Sequence, residues 1–504
     1  MKDKLRSLIV VIIGAIFITM FTVSLQAQTQ GEITGLVTDS TDAAIGGATV
    51  TVTNKATNAM RKVTTNSEGL YAFPSLPPGE YELRVEQSGF KISRSDNIKL
   101  EVQGVARLDV ALEVGQVGET VTIDSSPALL NSENATLGTV VENKVVTELP
   151  LNGRQYLNLV ALTPNANVLA PAAGQAGARQ GGERAQQSIS AGGQRIFFNY
   201  YTLDGVNNMD VNFNTYVALP SIDAIQEFKV QVGVYPAEYG HQSTQVNVLT
   251  KSGGNAYHGT LFEFHRNDKF DAKQYQFTSA RPKNPFKWND YGFEIDGPVR
   301  IPYLFNGKDK LFFMGNYEAL RRRQSVLNTF TVPTAKMFAG DFSEILASTI
   351  IYDPNTGLPF AGNIIPTGRL DATSLKLLKY YNSSNVLGTN NFAQTSSQPF
   401  DRYSYVMRFD FIESTNSQWM GRYNWGDDTT STQGLNAAGS KVLTNYKQLA
   451  ISNTRTFSSN LVNEARFGYT KFFNSLGTLS ASVNDVVTEI GIPNQKSGDP
   501  ITWG

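Results

Sequence analysis

Arg402-Tyr403-Ser404-Tyr405-Val406-Met407-Arg408-Phe409-Asp410-Phe411 reads as a single strand with two unlike faces. Tyr403, Tyr405, Met407, Phe409 and Phe411 recur at a period of two on one side, and Arg402, Ser404, Val406, Arg408 and Asp410 fall on the other. A soluble antiparallel sheet alternates too, so the period alone does not decide the fold. What decides it is the filling of each face: the apolar side is Tyr, Phe and Trp rather than Val, Ile and Leu, and the opposite side bears full charges. Aromatic-out and charge-in is the pattern of a transmembrane β-barrel strand with a wet lumen. It recurs in Trp419, Gly421, Tyr423 and Trp425 against Gln418, Met420, Arg422 and Asn424. Tyr291, Phe293 and Ile295 against Glu294 and Asp296 repeat it, as do Ala465, Phe467 and Tyr469 against Glu464 and Arg466.

Composition agrees. Among 504 residues, 43 basic and 44 acidic side chains leave a net charge of -1, so no whole-chain field attracts nucleic acid, and none is expected as a partner. Charged residues make up 17%, below the ~25% of ordinary soluble domains, while aromatics reach 11%. With no cysteine, disulfides, thiolate metal sites and cysteine nucleophiles are excluded together. At the N-terminus Lys2, Lys4 and Arg6 precede an apolar run from Leu8 to Phe21 and a small residue, Ala27, which predicts a secretory signal peptide over 1–27.

From Gly31 to Leu112 short alternating runs such as Thr49-Val50-Thr51-Val52 and Tyr81-Glu82-Leu83-Arg84-Val85 are separated by Gly46-Gly47, Ser67-Glu68-Gly69 and Pro77-Pro78-Gly79. That spacing predicts a β-sandwich over 31–114. The order Gly35-x-Val37 with Asp39, Gly47-Ala48-x-Val50, then Gly69-x-Tyr71-x-Phe73 and Gly79-x-Tyr81 resembles the carboxypeptidase-regulatory-like, transthyretin-like domain. The resemblance implies a binding or spacer module and no peptidase site.

Three blocks follow in order. Leu149-Pro150-Leu151-Asn152-Gly153-Arg154 leads into Tyr156 to Thr163, whose spacing suits a short helix stopped before Pro164. Ile189 to Arg195 leads to Tyr201-Thr202-Leu203-Asp204-Gly205-Val206, a strand ending in an Asp-Gly turn. Ile222 to Val230 leads to Tyr239-Gly240 and then Asn247-Val248-Leu249-Thr250-Lys251-Ser252-Gly253-Gly254. Taken together the blocks resemble the plug domain of TonB-dependent outer-membrane receptors, and with the regulatory-like domain in front they look most like the Oar-like subgroup. The resemblance marks Arg154, Arg195, Asp204, Gly205, Tyr239, Gly240 and Lys251 as plug motif residues. Glu227 and Phe228 stand where many members carry Arg-Val, which leaves the substrate class open.

Between sandwich and plug lies the β-prone peptide Glu119-Thr120-Val121-Thr122-Ile123-Asp124, flanked by Gly115, Gly118 and Pro127. Alone it reads as an edge strand; in this family's order it sits at the TonB box, where an extended peptide adds a strand to a periplasmic partner. The implied organisation is all-β dominated: signal peptide 1–27, sandwich 31–114, linker 115–128, α+β plug 129–254, and barrel from 255 to 504. Roughly seven or eight strand candidates lie between Tyr257 and Phe473, and enclosing a plug takes on the order of 22 strands, so the barrel is expected to be truncated here.

Other chemistry is thin. No phosphate loop, His-Glu-x-x-His or Gly-x-Ser-x-Gly occurs, and His241, His258 and His265 form no constellation, so no enzyme activity, metal or cofactor is expected. His265 is read as a polar lining residue of the lumen, Asp427-Asp428 as a solvated turn, and Asn328 to Asp401 as an extracellular loop. Arg321-Arg322-Arg323 is expected to meet lipid headgroups or lipopolysaccharide, and Pro171 to Gln187 reads as a flexible loop. The implied function is energy-coupled import, with a TonB-type periplasmic protein, outer-membrane lipid and lipopolysaccharide as partners and a siderophore, cobalamin, oligosaccharide or peptide as ligand. The alternatives are an outer-membrane adhesion or carbohydrate-binding scaffold and a soluble secreted β-protein.

Overall fold

The computed structural model describes residues 29–115, 120–123, 138–169, 184, 188–195, 198–233, 235, 242, 244–273, 275, 283–436, 439–458, 461–479 and 486–491. The signal peptide, Glu119, Asp124, Tyr239, Gly240 and His241 fall outside these residues, as does the stretch 171–187 except for Arg184.

Two sheets form the N-terminal sandwich. Gly31–Asp39 pairs antiparallel with Leu70–Leu76 and parallel with the short strands Val105–Arg107 and Val110–Leu112. The facing five-stranded sheet runs Met60–Thr64, Thr49–Asn54, Gly79–Glu86, Ile92–Leu100 and Thr120–Ile123 in spatial order. Period-two alternation sends Ile33, Val37, Val50, Val52, Phe73, Leu83, Val85 and Ile98 into the space between the sheets. Each such burial contributes about 1.5–3 kcal/mol. Gly35 is required by close approach, since a Cβ there would lie 1.8 Å from the Leu108 carbonyl oxygen. The sandwich sheet therefore reaches past the expected boundary at 114 and takes in the middle of the linker.

The middle domain is a five-stranded mixed sheet, Gly138–Glu142, Ile225–Val232, Thr244–Thr250, Asn199–Leu203 and Val206–Asn207 in spatial order. The helix Asn143–Glu148 and the 3-10 turn Tyr156–Leu162 cover it. Tyr156 meets Phe228 edge to face at 5.3 Å, and Leu157, Val160, Val230 and Val246 complete a core drawn almost wholly from this domain.

The remainder is one seven-stranded antiparallel sheet in sequence order. Its strands are His258–Asn267, Phe286–Pro298, Leu311–Phe330, Phe392–Ser414, Ser417–Gln433, Gly439–Ser458 and Leu461–Thr478. On its face against the middle domain Asp290, Glu294, Glu318, Arg402, Arg408 and Arg422 are buried, while Phe293, Phe409, Phe411, Trp419, Tyr423 and Phe467 are exposed on the other. The charge-in, aromatic-out assignment of these strands therefore holds. At one end Ser414 to Ser417 and Ser458 to Leu461 are tight connections; at the other, 331–391 is a long one. Tight turns mark the periplasmic end of such a sheet and long loops the extracellular end.

Four local expectations are corrected. Asn328 to Asp401 is not all loop: the third strand runs to Phe330 and the fourth begins at Phe392, because the ladder continues through polar Ser325, Ser396 and Ser397 after the apolar period has ended. Asp427 and Asp428 lie inside the fifth strand rather than in a turn. Within Arg321 to Arg323, which the third strand includes, Arg322 alone departs from the headgroup expectation: it stacks on Trp288 and Phe400 at 5.3 and 5.0 Å on the face toward the middle domain, while Arg321 and Arg323 are exposed on the other. His265 pairs with Asn289, in register with outward-facing Tyr291 and Phe293, and so faces away from the lumen. The reason is that Phe262 and Phe264 are drawn inward beneath the Arg154 guanidinium, at 4.3 and 4.4 Å.

Candidate functional site

The Asp-Gly turn is the hub at which the middle domain meets the sheet. Leu203 and Val206 close a two-residue hairpin whose central residues, Asp204 and Gly205, both have positive φ, 48° and 70°. Asp-Gly favours that turn because Asp tolerates the left-handed region and Gly has no Cβ to oppose it. Asp204 Oδ1 accepts the Thr250 N–H and Oδ2 accepts the Thr250 hydroxyl, both at 2.9 Å, which fixes the carboxylate. From the sheet, Arg422 Nε lies 2.7 Å from Asp204 Oδ2 and Arg408 Nη1 lies 3.4 Å from Oδ1. Arg408 also donates to the Thr250 carbonyl at 2.7 Å and pairs with Asp410; Arg422 donates to the Leu203 carbonyl at 3.0 Å and to Gln448 at 2.9 Å. Arg466 donates to the Gly205 carbonyl at 3.1 Å. One acidic turn is thus gripped by arginines from the fourth, fifth and seventh strands.

A second cluster has the opposite polarity. Arg154, in the left-handed region at φ 52°, pairs with Asp223 of its own domain, lies 3.9 Å from Asp290 of the sheet, and stacks on Phe262 and Phe264. Lys251 Nζ approaches Glu294 Oε2 at 3.7 Å, and Arg266 donates to Asn152 at 3.0 Å. Burial pushes the Asp223 carboxyl up, and adjacent Arg154 pulls it back. A third contact comes from Arg184, which donates to the carbonyls of Tyr216 and Val217, stacks on Phe472 at 5.0 Å and faces Asp428 at 3.9 Å.

The sandwich closes the tight-turn end. Its Val102 N–H donates to Glu227, Lys229 donates to the Gln103 carbonyl at 3.2 Å, and Lys99 pairs with Glu142. Onto the sheet, Asn58 donates to Asp309 at 2.9 Å, Arg61 to Thr456 at 2.6 Å, and Asn255 donates its N–H to the Ala56 carbonyl at 2.9 Å. Burial pushes Glu227 up to about 7, against the pull of the Val102 N–H. A cavity of about 590 Å³, lined by Lys55, Tyr81, Glu227, Asp410 and Trp419 among others, lies where the three parts meet.

Of the expected site residues, Arg154, Asp204, Gly205 and Lys251 come together at the domain interface. Arg195 is exposed, just after the Gly192-Gly193 turn. Thr120 to Ile123, from the peptide expected at the TonB-box position, lie parallel to Ile92–Leu100, with Ile92 opposite Thr120 and Ser95 opposite Ile123. Sequence reasoning placed Arg408, Arg422 and Arg466 on the charged faces of their strands but not against Asp204, and it passed over Arg184, which stands in a low-complexity stretch. Among the described residues no group of three His, Asp or Glu side chains is arranged to hold a metal ion.

Comparison with known proteins fits this architecture. Residues 32–113 match the carboxypeptidase regulatory-like domain. The TonB-dependent transporter Oar of Myxococcus xanthus is 26% identical over 282 residues, which is 53% of this chain and 24% of that protein. The chain thus spans about a quarter of the length of this relative. Among solved structures, the outer-membrane transporter YddB of Escherichia coli is similar at 11% identity and a TM-score of 0.43, covering 68% of this chain and 39% of that one. The ferric enterobactin receptor of Pseudomonas aeruginosa is similar at 11% identity and a TM-score of 0.39, over 67% and 41%. Residues 249–504, half of the chain, match the outer membrane beta barrel domain, with the aromatic belt on one face and the charged lumen on the other; the chain belongs to that family and is an outer-membrane protein.

Proposed function

We propose that this chain works as a TonB-dependent importer, in which a periplasmic partner pulls on Glu119 to Asp124 and shifts the plug within the barrel. The observation that carries the reading is the chemistry of the plug seat. The plug's apolar core is nearly self-contained, with Tyr446 and Phe472 of the wall at its edge and Ala224 packed on Met314 and Val406, while Asp204, Arg154 and Lys251 meet the barrel wall through ion pairs and hydrogen bonds. Water can take over the polar contacts as they break, so a moving plug uncovers these few apolar side chains and keeps the rest of its core closed. The energy comes from the partner, and the ligand binds from outside, with siderophore, cobalamin, oligosaccharide and peptide as candidates. In the resting arrangement the coupling peptide is occupied as an edge strand of the sandwich, and the partner must displace it by strand exchange. Carboxypeptidase resemblance adds no catalysis to this role.

Residues 1–504 contain no cysteine, so a single introduced one can be followed in this part of the protein. Val121→Cys in the full-length protein is expected to crosslink to the periplasmic domain of the TonB-type partner in energised cells, and deletion of 119–124 to abolish uptake while ligand still binds at the cell surface. Uptake unaffected by the deletion would remove the coupling role.

A scaffold or adhesion role is favoured by one feature, the 331–391 loop. It has its own framework, with the Arg369–Asp353 pair and buried Asn363 bonded to Phe342, Thr349 and Ile351, and it exposes Tyr352, Leu358 and Ile364. Protease accessibility of the sandwich on intact cells separates the readings: the importer keeps it sheltered in the periplasm.

A further inference from the structure

The connection between the second and third strands of the large sheet differs from the other two at its end. Where Ser414 to Ser417 and Ser458 to Leu461 turn tightly, 299–310 forms a separate hairpin, with Arg300 and Ile301 paired to Asn306 and Phe305. Its base is tied by Val299 N–H to the Leu311 carbonyl and Gly307 N–H to the Val299 carbonyl, both at 2.8 Å. Gly307 is needed there, since a Cβ would lie 2.5 Å from the Val299 carbonyl oxygen. Every residue from Arg300 to Asn306 is exposed, and Leu304 at the tip is 80% exposed, next to fully exposed Tyr303. A lone two-stranded ribbon is marginal in water, and one with Ile301, Tyr303, Leu304 and Phe305 outermost is worse placed still.

The root of the hairpin shows which surface covers it. Arg300 stacks over Tyr257 at 5.8 Å, and Tyr257 lies 6.5 Å from Phe313. Phe313 pairs with Phe409 on the exposed aromatic face of the sheet. The ribbon is therefore continuous with the lipid-facing belt and lies at its tight-turn, periplasmic end. Its charge fits as well: Arg300, Lys308 and Lys310 are exposed, and the one acid, Asp309, is engaged by Asn58 and Asn255. Apolar and aromatic side chains at a tip flanked by cations suit the boundary between acyl chains and anionic headgroups.

We propose that residues 299–310 form a lipid anchor whose Tyr303–Leu304 tip dips into the periplasmic leaflet, with Arg300, Lys308 and Lys310 on phospholipid phosphates. It would hold the barrel wall at a set depth beside the docked sandwich. The test is a nitroxide at Leu304→Cys in the full-length protein, reconstituted in liposomes of phosphatidylethanolamine and phosphatidylglycerol, with Thr415→Cys in a tight turn as reference. Both positions are exposed, so neither substitution disturbs packing. The expected result is that position 304 is open to oxygen and closed to a water-soluble nickel complex, at a depth of roughly 5–10 Å below the headgroups. Nickel access equal to that at position 415 overturns the proposal, and exclusion of both oxygen and nickel overturns it in favour of a protein partner. Replacing phosphatidylglycerol by phosphatidylcholine is expected to make the label shallower; an unchanged depth removes the anionic headgroup from the assignment.

Discussion

At the scale of single residues, Asp204 is the group on which the plug seat turns. The Arg422 side chain is 0% exposed and Asp204 is its carboxylate partner, so truncating the acid strands a buried cation. Breaking one side of such a pair costs about 3–5 kcal/mol, whereas replacing both sides by neutral groups costs less. Asp204→Ala is therefore expected to lower the free energy of plug unfolding, read from urea titration, by that amount, and Asp204→Ala with Arg422→Met to recover part of it; a double variant as weak as the sum of the singles would show no coupling. Gly205→Ala is expected to be milder, about 1–2 kcal/mol from the left-handed backbone. Its Cβ would lie 1.7 Å from Arg466 Nη1, but that is the movable end of a long side chain. The Asp-Gly turn was legible from two adjacent residues, because its cause is local. Its arginine partners were not, since the two-residue period assigns Arg422 to a face and says nothing about what lies opposite it more than two hundred positions away. His265 failed for a related reason: the face was inferred from charge, and in the first strand the plug's Arg154 claims the aromatic face instead.

Elements tell a similar story, with strands legible where one face meets lipid and obscure where both meet water. The fourth strand was found from Arg402 onward, yet its first ten residues pair with the third strand through Ser, Gln and Thr side chains that show no apolar period. The peptide Thr120 to Ile123 reads equally as edge strand or coupling segment, and it pairs as the former. How firmly the sandwich sits on the plug depends on the strand Ile225–Val232, through Glu227. Its ordinary value is 4.5, and burial raises it to about 7, with Glu101 and Glu142 pushing the same way and the Val102 N–H and Lys99 opposing. A carboxyl raised on docking favours the docked form when protonated. Docking is thus expected to be firmest below about 4.5 and to weaken as pH rises through about 7. Hydrogen exchange at Val102 and Gln103 across that window checks it: Glu227→Gln, which keeps an acceptor and cannot ionise, is expected to flatten the profile.

For the whole molecule, the arrangement of charge explains how one plug finds one orientation. It turns an acid, Asp204, toward arginines of the fourth and fifth strands and two cations, Arg154 and Lys251, toward acids of the second, so a rotated plug would set like charges together. The sandwich then spans plug and wall at the tight-turn end, beside a cavity of about 590 Å³ lined by all three parts. If import runs past it, the sandwich has to swing or lift during each cycle. Asn58 and Asp309 meet across that junction, Nδ2 to Oδ1 at 2.9 Å, and residues 1–504 contain no cysteine. Asn58→Cys with Asp309→Cys is therefore expected to give a disulfide under oxidising conditions that leaves surface binding of ligand intact, stops energy-dependent uptake, and releases it on reduction. Each single variant should transport normally, since the lost hydrogen bond is exposed and the other docking contacts remain. Uptake that continues through the oxidised, fully crosslinked protein would place the exit path elsewhere and leave the sandwich as a fixed support.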